Sequence, residues 1–445
     1  MRLNAQLTGG LGIESAAWRY KGQQADAFMK VDTYVEAVKV LERGMFDAFF
    51  IADTPALTHD ISRNAPLGGL DPITILSILS QVTEHIGLVA TLSSTYNEAY
   101  TVARQLRSLD LLSGGRIGWN VVTTSHPGAH ANYGGQQLSR AQKYARAYEM
   151  VDAVQHLWAS WPDDALLLDS ANNRFADMQK IVPADYKGQH IQSYGPINLP
   201  PSPQGQPIIF SAGGGDEGLD IALRYGNAIY TNPHTLDYAV AYWKYVQRRL
   251  MEYGRTSDDF VAFNGLIISL GGTEEEALQK RRELDALGPQ QDRLQYLSYM
   301  LSLDLSKFDL DAPIPKEYRQ MMQPNLQDLR AQKAFEMAKR GMSIRDILAH
   351  GPINYHPVLL GTPEQVAAAM EEWFHADVGG GFSIIPDTGV DALTDFVEQV
   401  VPILQSKGLL RTHYEGETFR QNLGFDYFNG VRQYDHTHQP FQTEL

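Results

Sequence analysis

Two rhythms of apolar and polar residues take turns along this chain of 445 residues. Leu3 to Leu7 reads as a first strand. The segment VDTYVEAVKVLERG then spaces Val31, Val35, Val38 and Leu41 along one helical face and stops at Gly44. Phe46 to Ala52 reads as a second strand. A helix follows from Pro72 with Ile75, Ile78 and Leu79 inward, then a third strand from Ile86 to Thr91. Val102, Leu106, Leu109 and Leu112 form the next helical face, closed by Gly114 and Gly115, and Ile117 to Val122 is the fourth strand. A long helix carries Tyr144, Tyr148, Val151, Leu157 and Trp158. Later strands are predicted at Pro207 to Phe210, Ala228 to Tyr230, Phe260 to Leu270 and Phe382 to Ile385. Gly361 opens a helix with Thr362 at N-cap, Pro363 at N1 and Gln365 at N3, and Leu393 to Leu404 is the last helix. Eight strand–helix units predict an α/β fold, a (β/α)8 TIM barrel, rather than an open doubly wound sheet. No GxGxxG follows the first strand, which argues against the open sheet.

Two stretches interrupt the rhythm. Residues 161–206 are rich in Pro, Asp and Asn, with a hairpin expected near His190 to Pro201. Residues 284–359 hold apolar and helical pieces, among them Tyr296, Tyr299, Met300 and Phe308. Both are expected to be ordered lids over the C-terminal face of a single domain spanning residues 1–445. The tail from about residue 414 is expected to wrap the surface.

Composition narrows the partners. The net charge of −15 argues against nucleic acid or an anionic membrane as the main partner. Cysteine is absent, which rules out disulfides, thiolate chemistry and zinc sites of the cysteine type. The start MRLNAQLTGG lacks a basic region followed by a long apolar core, and no apolar run approaches the ~20 residues that span a bilayer. The expectation is a cytoplasmic protein.

The stretch IGWNVVTTSHPGAHANYGG carries most of the candidate chemistry. Asn120, Thr123, Thr124, Ser125, His126, His130 and Asn132 crowd the C-terminal end of a buried strand, where parallel α/β folds bind ligands. Asp53 ends the second strand and Thr91 the third, at the same end. SAGGGDEG at Ser211 to Gly218 joins a strand to a helix; its glycines and the free helix amides suit an anion such as phosphate, or make a plain tight turn. His126 and His130 are candidates for proton handling, each with a surface role as the alternative. His436 and His438 lack a third ligand at fitting spacing, so no metal site is expected. Ser125 lacks a nucleophile elbow. Arg330, Lys333, Lys339, Arg340 and Arg345 are helix-spaced and read as a solvated face.

GRIGWNVVTTS followed by NYGG and a Tyr-bearing helix resembles the bacterial luciferase-like flavin monooxygenases. The branch is that of nitrilotriacetate, EDTA, long-chain alkane and dibenzothiophene-sulfone monooxygenases. FDAFFIAD, GPINLPPSPQGQPII, VLLGTPEQVA and DFVEQVVPILQSKGLLRTHYEGETFRQNLG match in order over nearly the whole chain. The resemblance implies a two-component enzyme. It would use reduced FMN (FMNH2) from a separate NAD(P)H:FMN reductase, and O2, to oxygenate a small organic substrate through a C4a-peroxyflavin. It implies FMN contacts at Asp53, Thr91 and Tyr144, Asn120 under the flavin ring, phosphate binding at Gly214 and Gly215, and a homodimer or homotetramer. Two positions depart from the family's pattern. Arg140 stands where the family has a His, and Gly215 where it has a phosphate-binding Ser. An Arg140 that reaches the phosphate would replace the lost hydroxyl with a charge-assisted contact. Two other readings stay open: a deazaflavin-dependent hydride-transfer oxidoreductase, and a non-catalytic flavin-binding subunit.

Overall fold

The computed structural model describes residues 1–432, apart from 8, 10, 15, 58, 59, 67, 135, 136, 213 and 214. His436, His438 and Gly214 lie outside the described residues. Eight parallel strands form a closed ring: β1 Arg2–Gln6, β2 Ala48–Ile51, β3 Gly87–Ser93, β4 Ile117–Val122, β5 Ile208–Ser211, β6 Ala228–Thr231, β7 Val261–Leu270 and β8 Gly380–Pro386. Each pairs with its neighbour in sequence, and β8 pairs with β1 to close the barrel. The strands are buried on both faces, as β2 and β3 are at every position, so their sequences run apolar rather than alternating. This is the (β/α)8 barrel predicted from the pattern. A short strand, Val358–Gly361, pairs with the far end of β7 outside the ring.

The helices carry the expected caps. Thr362, Pro363 and Gln365 form a full capping box with proline at N1. Ser139 and Gln142 form another at the start of the helix Arg140–Ala159. Three residues assigned to inner faces turn out instead: Val31, Ile78 and Leu112 are 37%, 44% and 63% exposed. The buried stripe of each helix is narrow and shifted, running through Tyr34, Ala37, Val38 and Leu41 in the first and Ile75, Leu76 and Leu79 in the second.

The tail does more than wrap the surface. Phe419 is fully buried and closes the N-terminal end of the barrel. Its ring stacks on Phe210 with centroids 6.1 Å apart. A Cβ at Gly87 would fall 2.5 Å from that ring, and one at Gly118 would fall 3.2 Å from it. Glycines at these two strand positions leave room for the plug.

The two insertions go to opposite ends. Residues 160–207 enter β5 from its N-terminal side, so they are not a lid. They hold one strand pair at Leu166–Asp169 with Arg174–Ala176, and the expected hairpin, Tyr186–Lys187 with Gln192–Ser193, falls earlier than expected. It is held along the helix Arg140–Ala159 by Glu149, whose carboxylate accepts the amides of Gln189, His190 and Ile191. The second insertion does sit over the C-terminal face. It begins with the helix Glu274–Leu287, sooner than residue 284, and its later helices share a small apolar core of Leu297, Met300, Leu301, Ala334 and Ile347. Glu14, in the loop after β1, ties it down through Arg281 at 2.7 Å and Asn354 at 3.0 Å.

Candidate active site

The sequence-predicted residues gather at the C-terminal mouth of the barrel. Thr91 and Asn120 are adjacent register partners on β3 and β4, and the Asn120 Nδ2 donates to Thr91 Oγ1 at 3.0 Å. Both are buried, yet Asn120 Oδ1 has no hydrogen-bond partner among the described residues. A buried, unpaired acceptor is costly, about 1–3 kcal/mol, unless a ligand satisfies it. Asp53 follows β2. Burial, and then the nearby Asp71, pushes its carboxyl up to about 6.

His126 and His130 lie on the loop after β4, which abuts the Asp53 loop through the Asn132 amide donating to Pro55 O at 3.1 Å. His126 caps the short helix Pro127–Asn132, its Nδ1 accepting the Gly128 amide at 3.0 Å. That bond puts the proton of the neutral ring on Nε2. His130 Nδ1 meets the Tyr96 hydroxyl at 3.1 Å, and its Nε2 is buried without a partner among the described residues.

Arg140 and Gly215, the two departures from the family's pattern, are neighbours in space. A Cβ on Gly215 would fall 2.5 Å from Arg140 Nη2. The backbone of Gly215 is extended (φ −117°), so space rather than conformation is what a side chain would contest there. Gly215 is the N-cap of the helix Asp216–Tyr225, with no side-chain cap, which leaves the helix amides open to an anion. Arg140 lies over the Tyr144 ring at 5.5 Å and forks onto Glu217, Nε to Oε1 at 3.1 Å and Nη2 to Oε2 at 2.7 Å. A pocket of about 200 Å³ opens between Thr123, Thr124, Tyr144, Ser211 and Gly218. It joins the end of β4 to the start of that helix.

The opposite wall of the mouth was not anticipated. Tyr230 on β6 stacks on Phe50 across the barrel with centroids 5.8 Å apart, and its hydroxyl meets His356 Nε2 at 3.0 Å. Polar residues inside otherwise apolar strands, Asn4 in LNAQL and Ser383 in GFSII, were the available signal. His356 comes from the insertion, and periodicity says nothing of where such a segment folds back. Lys333 is half-buried rather than part of a solvated face, and Arg330 is held by Asp328 and by the carbonyls of Ile353 and Asn354. No group of three metal-ligating side chains occurs among the described residues.

Residues 11–379 match the model of the luciferase-like monooxygenase family. The chain is 37% identical over 422 residues to N-acetyl-S-(2-succino)cysteine monooxygenase of Bacillus subtilis (strain 168), covering 94% of this chain and 95% of that one. It is 35% identical over 428 residues to nitrilotriacetate monooxygenase component A of Aminobacter aminovorans, covering 93% and 94%. Among solved structures it is similar to EDTA monooxygenase from Chelativorans sp. BNC1, with a TM-score of 0.82 and 30% identity over 96% of this chain and 99% of that one. The chain belongs to the luciferase-like monooxygenase family and is a flavin-dependent monooxygenase. Enzymes of this family use reduced flavin. No described helix is long and apolar enough to cross a membrane.

Proposed function

We propose that the protein is the oxygenase component of a two-component system that takes FMNH2 from a separate NAD(P)H:FMN reductase and oxygenates a small organic substrate. The observation that carries this reading is the convergence of Asp53, Thr91 and Asn120 at the barrel mouth, with Asn120 Oδ1 unsatisfied among the described residues, beside an open helix N-terminus flanked by Arg140. The donor set fits FMN. Asn120 and Thr91 would lie under the ring, and Asp53 would accept from a ring N–H. The amides at Gly214 and Gly215, with Arg140 and Tyr144, would hold the phosphate. Reduced FMN, when bound, supplies the electrons that activate O2 for transfer of one oxygen atom to the substrate. The protein's share is to bind, orient and exclude water. His126 offers a proton at Nε2, and His130 Nε2, unpartnered among the described residues, can hold or accept one. The oxygenase is proposed to assemble as a homodimer or homotetramer.

Anaerobic titration with FMNH2, followed by oxygen, tests the reading. Reduced FMN should bind, and O2 consumption should depend on added flavin reductase. Binding of a reduced deazaflavin in preference to FMNH2 would overturn it.

A further inference from the structure

A cavity of about 320 Å³ opens at the N-terminal end of the barrel, opposite the mouth. Asn227 and Asp259 reach it from the residues that lead into β6 and β7. Arg420 comes from the short helix Phe419–Asn422, and Phe425, Phe428 and Arg432 from the tail beyond it.

Arg420 is only 3% exposed. A guanidinium carries five N–H donors and a full charge. Arg116 shows what a buried one needs when it only holds the fold together. Its donors are all matched, by Ser80 O, Thr83 O and Oγ1, Ile86 O and Ser113 O at 2.7–3.0 Å. Arg420 donates to Gln206 O at 3.1 Å and to Asn227 Oδ1 at 3.4 Å, and its Nε has no partner among the described residues. Neither acceptor is charged.

Arg432 is the second guanidinium on the cavity. It reaches Asp259 only at 3.7 Å, beyond hydrogen-bond range, and its Nε is also buried without a partner among the described residues. Both guanidiniums pack on the Phe428 ring, 5.7 and 5.1 Å from its centroid, which holds them beside one another. The Asp259 carboxylate is already forked by Arg255, at 3.3 and 3.2 Å. Asp426 stands at the rim and is exposed. Burial and then Arg432 push Arg420 down to about 9, with Arg255 acting in the same sense and Asp110 and Asp259 against it. Arg420 is therefore still charged at neutral pH. Buried cations with unmatched donors call for an anion. A carboxylate offers two oxygens in one plane, which suits a single guanidinium fork. Two guanidiniums from different segments suit an anion whose oxygens point in several directions.

We propose that this cavity binds a tetrahedral oxyanion, of the phosphate or sulfate class, between Arg420 and Arg432, and that the anion fastens the tail to the base of the barrel. The site is separate from the catalytic mouth and does not depend on the function given above.

Calorimetric titration of the full chain with sodium phosphate and with sodium sulfate, at constant ionic strength, tests it. The titration is run with saturating FMN, and again without FMN in Arg140→Ala, so that the corner at Gly215 does not contribute. Binding of either anion under both conditions supports the proposal, and the tighter of the two names the occupant. Acetate should bind more weakly than both. Phosphate should raise the Tm more than chloride does at equal ionic strength. Arg432→Gln should weaken phosphate about tenfold or more, the loss of one charge-assisted contact, and Arg432→Lys should recover part of it. Arg420→Lys should weaken it as well. Arg420 also anchors Gln206 and Asn227, so a misfolded Arg420→Lys leaves the decision to Arg432→Gln. Phosphate affinity unchanged in folded Arg432→Gln, phosphate binding lost in Arg140→Ala, or no binding of either anion by the full chain would each overturn the proposal.

Discussion

Replacing Arg140 by alanine is the sharpest perturbation of the proposed cofactor site. A charge-assisted hydrogen bond to phosphate contributes about 1.5–3 kcal/mol. Arg140 must first give up or share its fork on Glu217, and the two side chains are 66% and 33% exposed. An exposed pair of this kind is worth about 0–1 kcal/mol, so little is lost in releasing it. The net contribution is about 1–2 kcal/mol, or roughly five- to thirtyfold in Kd. Fluorescence titration with FMN and with riboflavin, which lacks the phosphate, isolates this term. Arg140→Ala should weaken FMN by that factor and leave riboflavin unchanged. Glu217→Gln should act in the opposite sense, because it frees the guanidinium and removes a negative charge beside the phosphate. An unchanged FMN-to-riboflavin ratio in Arg140→Ala would refute the idea that Arg140 compensates for the hydroxyl missing at Gly215.

Asp53 should give flavin binding a pH dependence. Its carboxyl keeps its proton up to about pH 6 and accepts from a ligand N–H only above that, so affinity should rise through pH 6 and level off, and Asp53→Asn should abolish the step in titrations between pH 5 and 8. In the ligand-free protein the raised value means that stability is fullest below the ordinary carboxylate range and is lost as pH rises through 6. Asp53→Asn should therefore be the more stable above pH 6 in urea unfolding, and a destabilised variant there would contradict this. Phe419→Ala should destabilise by about 3–5 kcal/mol, because Gly87 and Gly118 have no side chains to fill the cavity. Its urea midpoint should fall while FMN affinity at 25 °C holds, and an unchanged midpoint would mean that the tail is not a plug.

The barrel and one wall of its mouth were legible in the chain. Buried parallel strands must be apolar throughout and helices must bury a stripe, so the alternation of the two patterns is a local consequence of the fold. Asp53, Thr91 and Asn120 were readable because strand ends in such a barrel all face the same way, and the distance between them along the chain does not matter. The stripe of each helix was less certain at its edges, where Val31, Ile78 and Leu112 face water. Only the tertiary structure brought together what no local rule connects. It set Arg140 against Gly215, Phe419 under Gly87 and Gly118, and His356 over Gly265. It also sent the first insertion to the far end of the barrel, since a segment between helix and strand must leave from the N-terminal face. Periodicity encodes which face of an element is buried. It carries no information on which distant segment fills a space left by a missing side chain, and that space decided both the corner of Arg140 and Gly215 and the opposite wall.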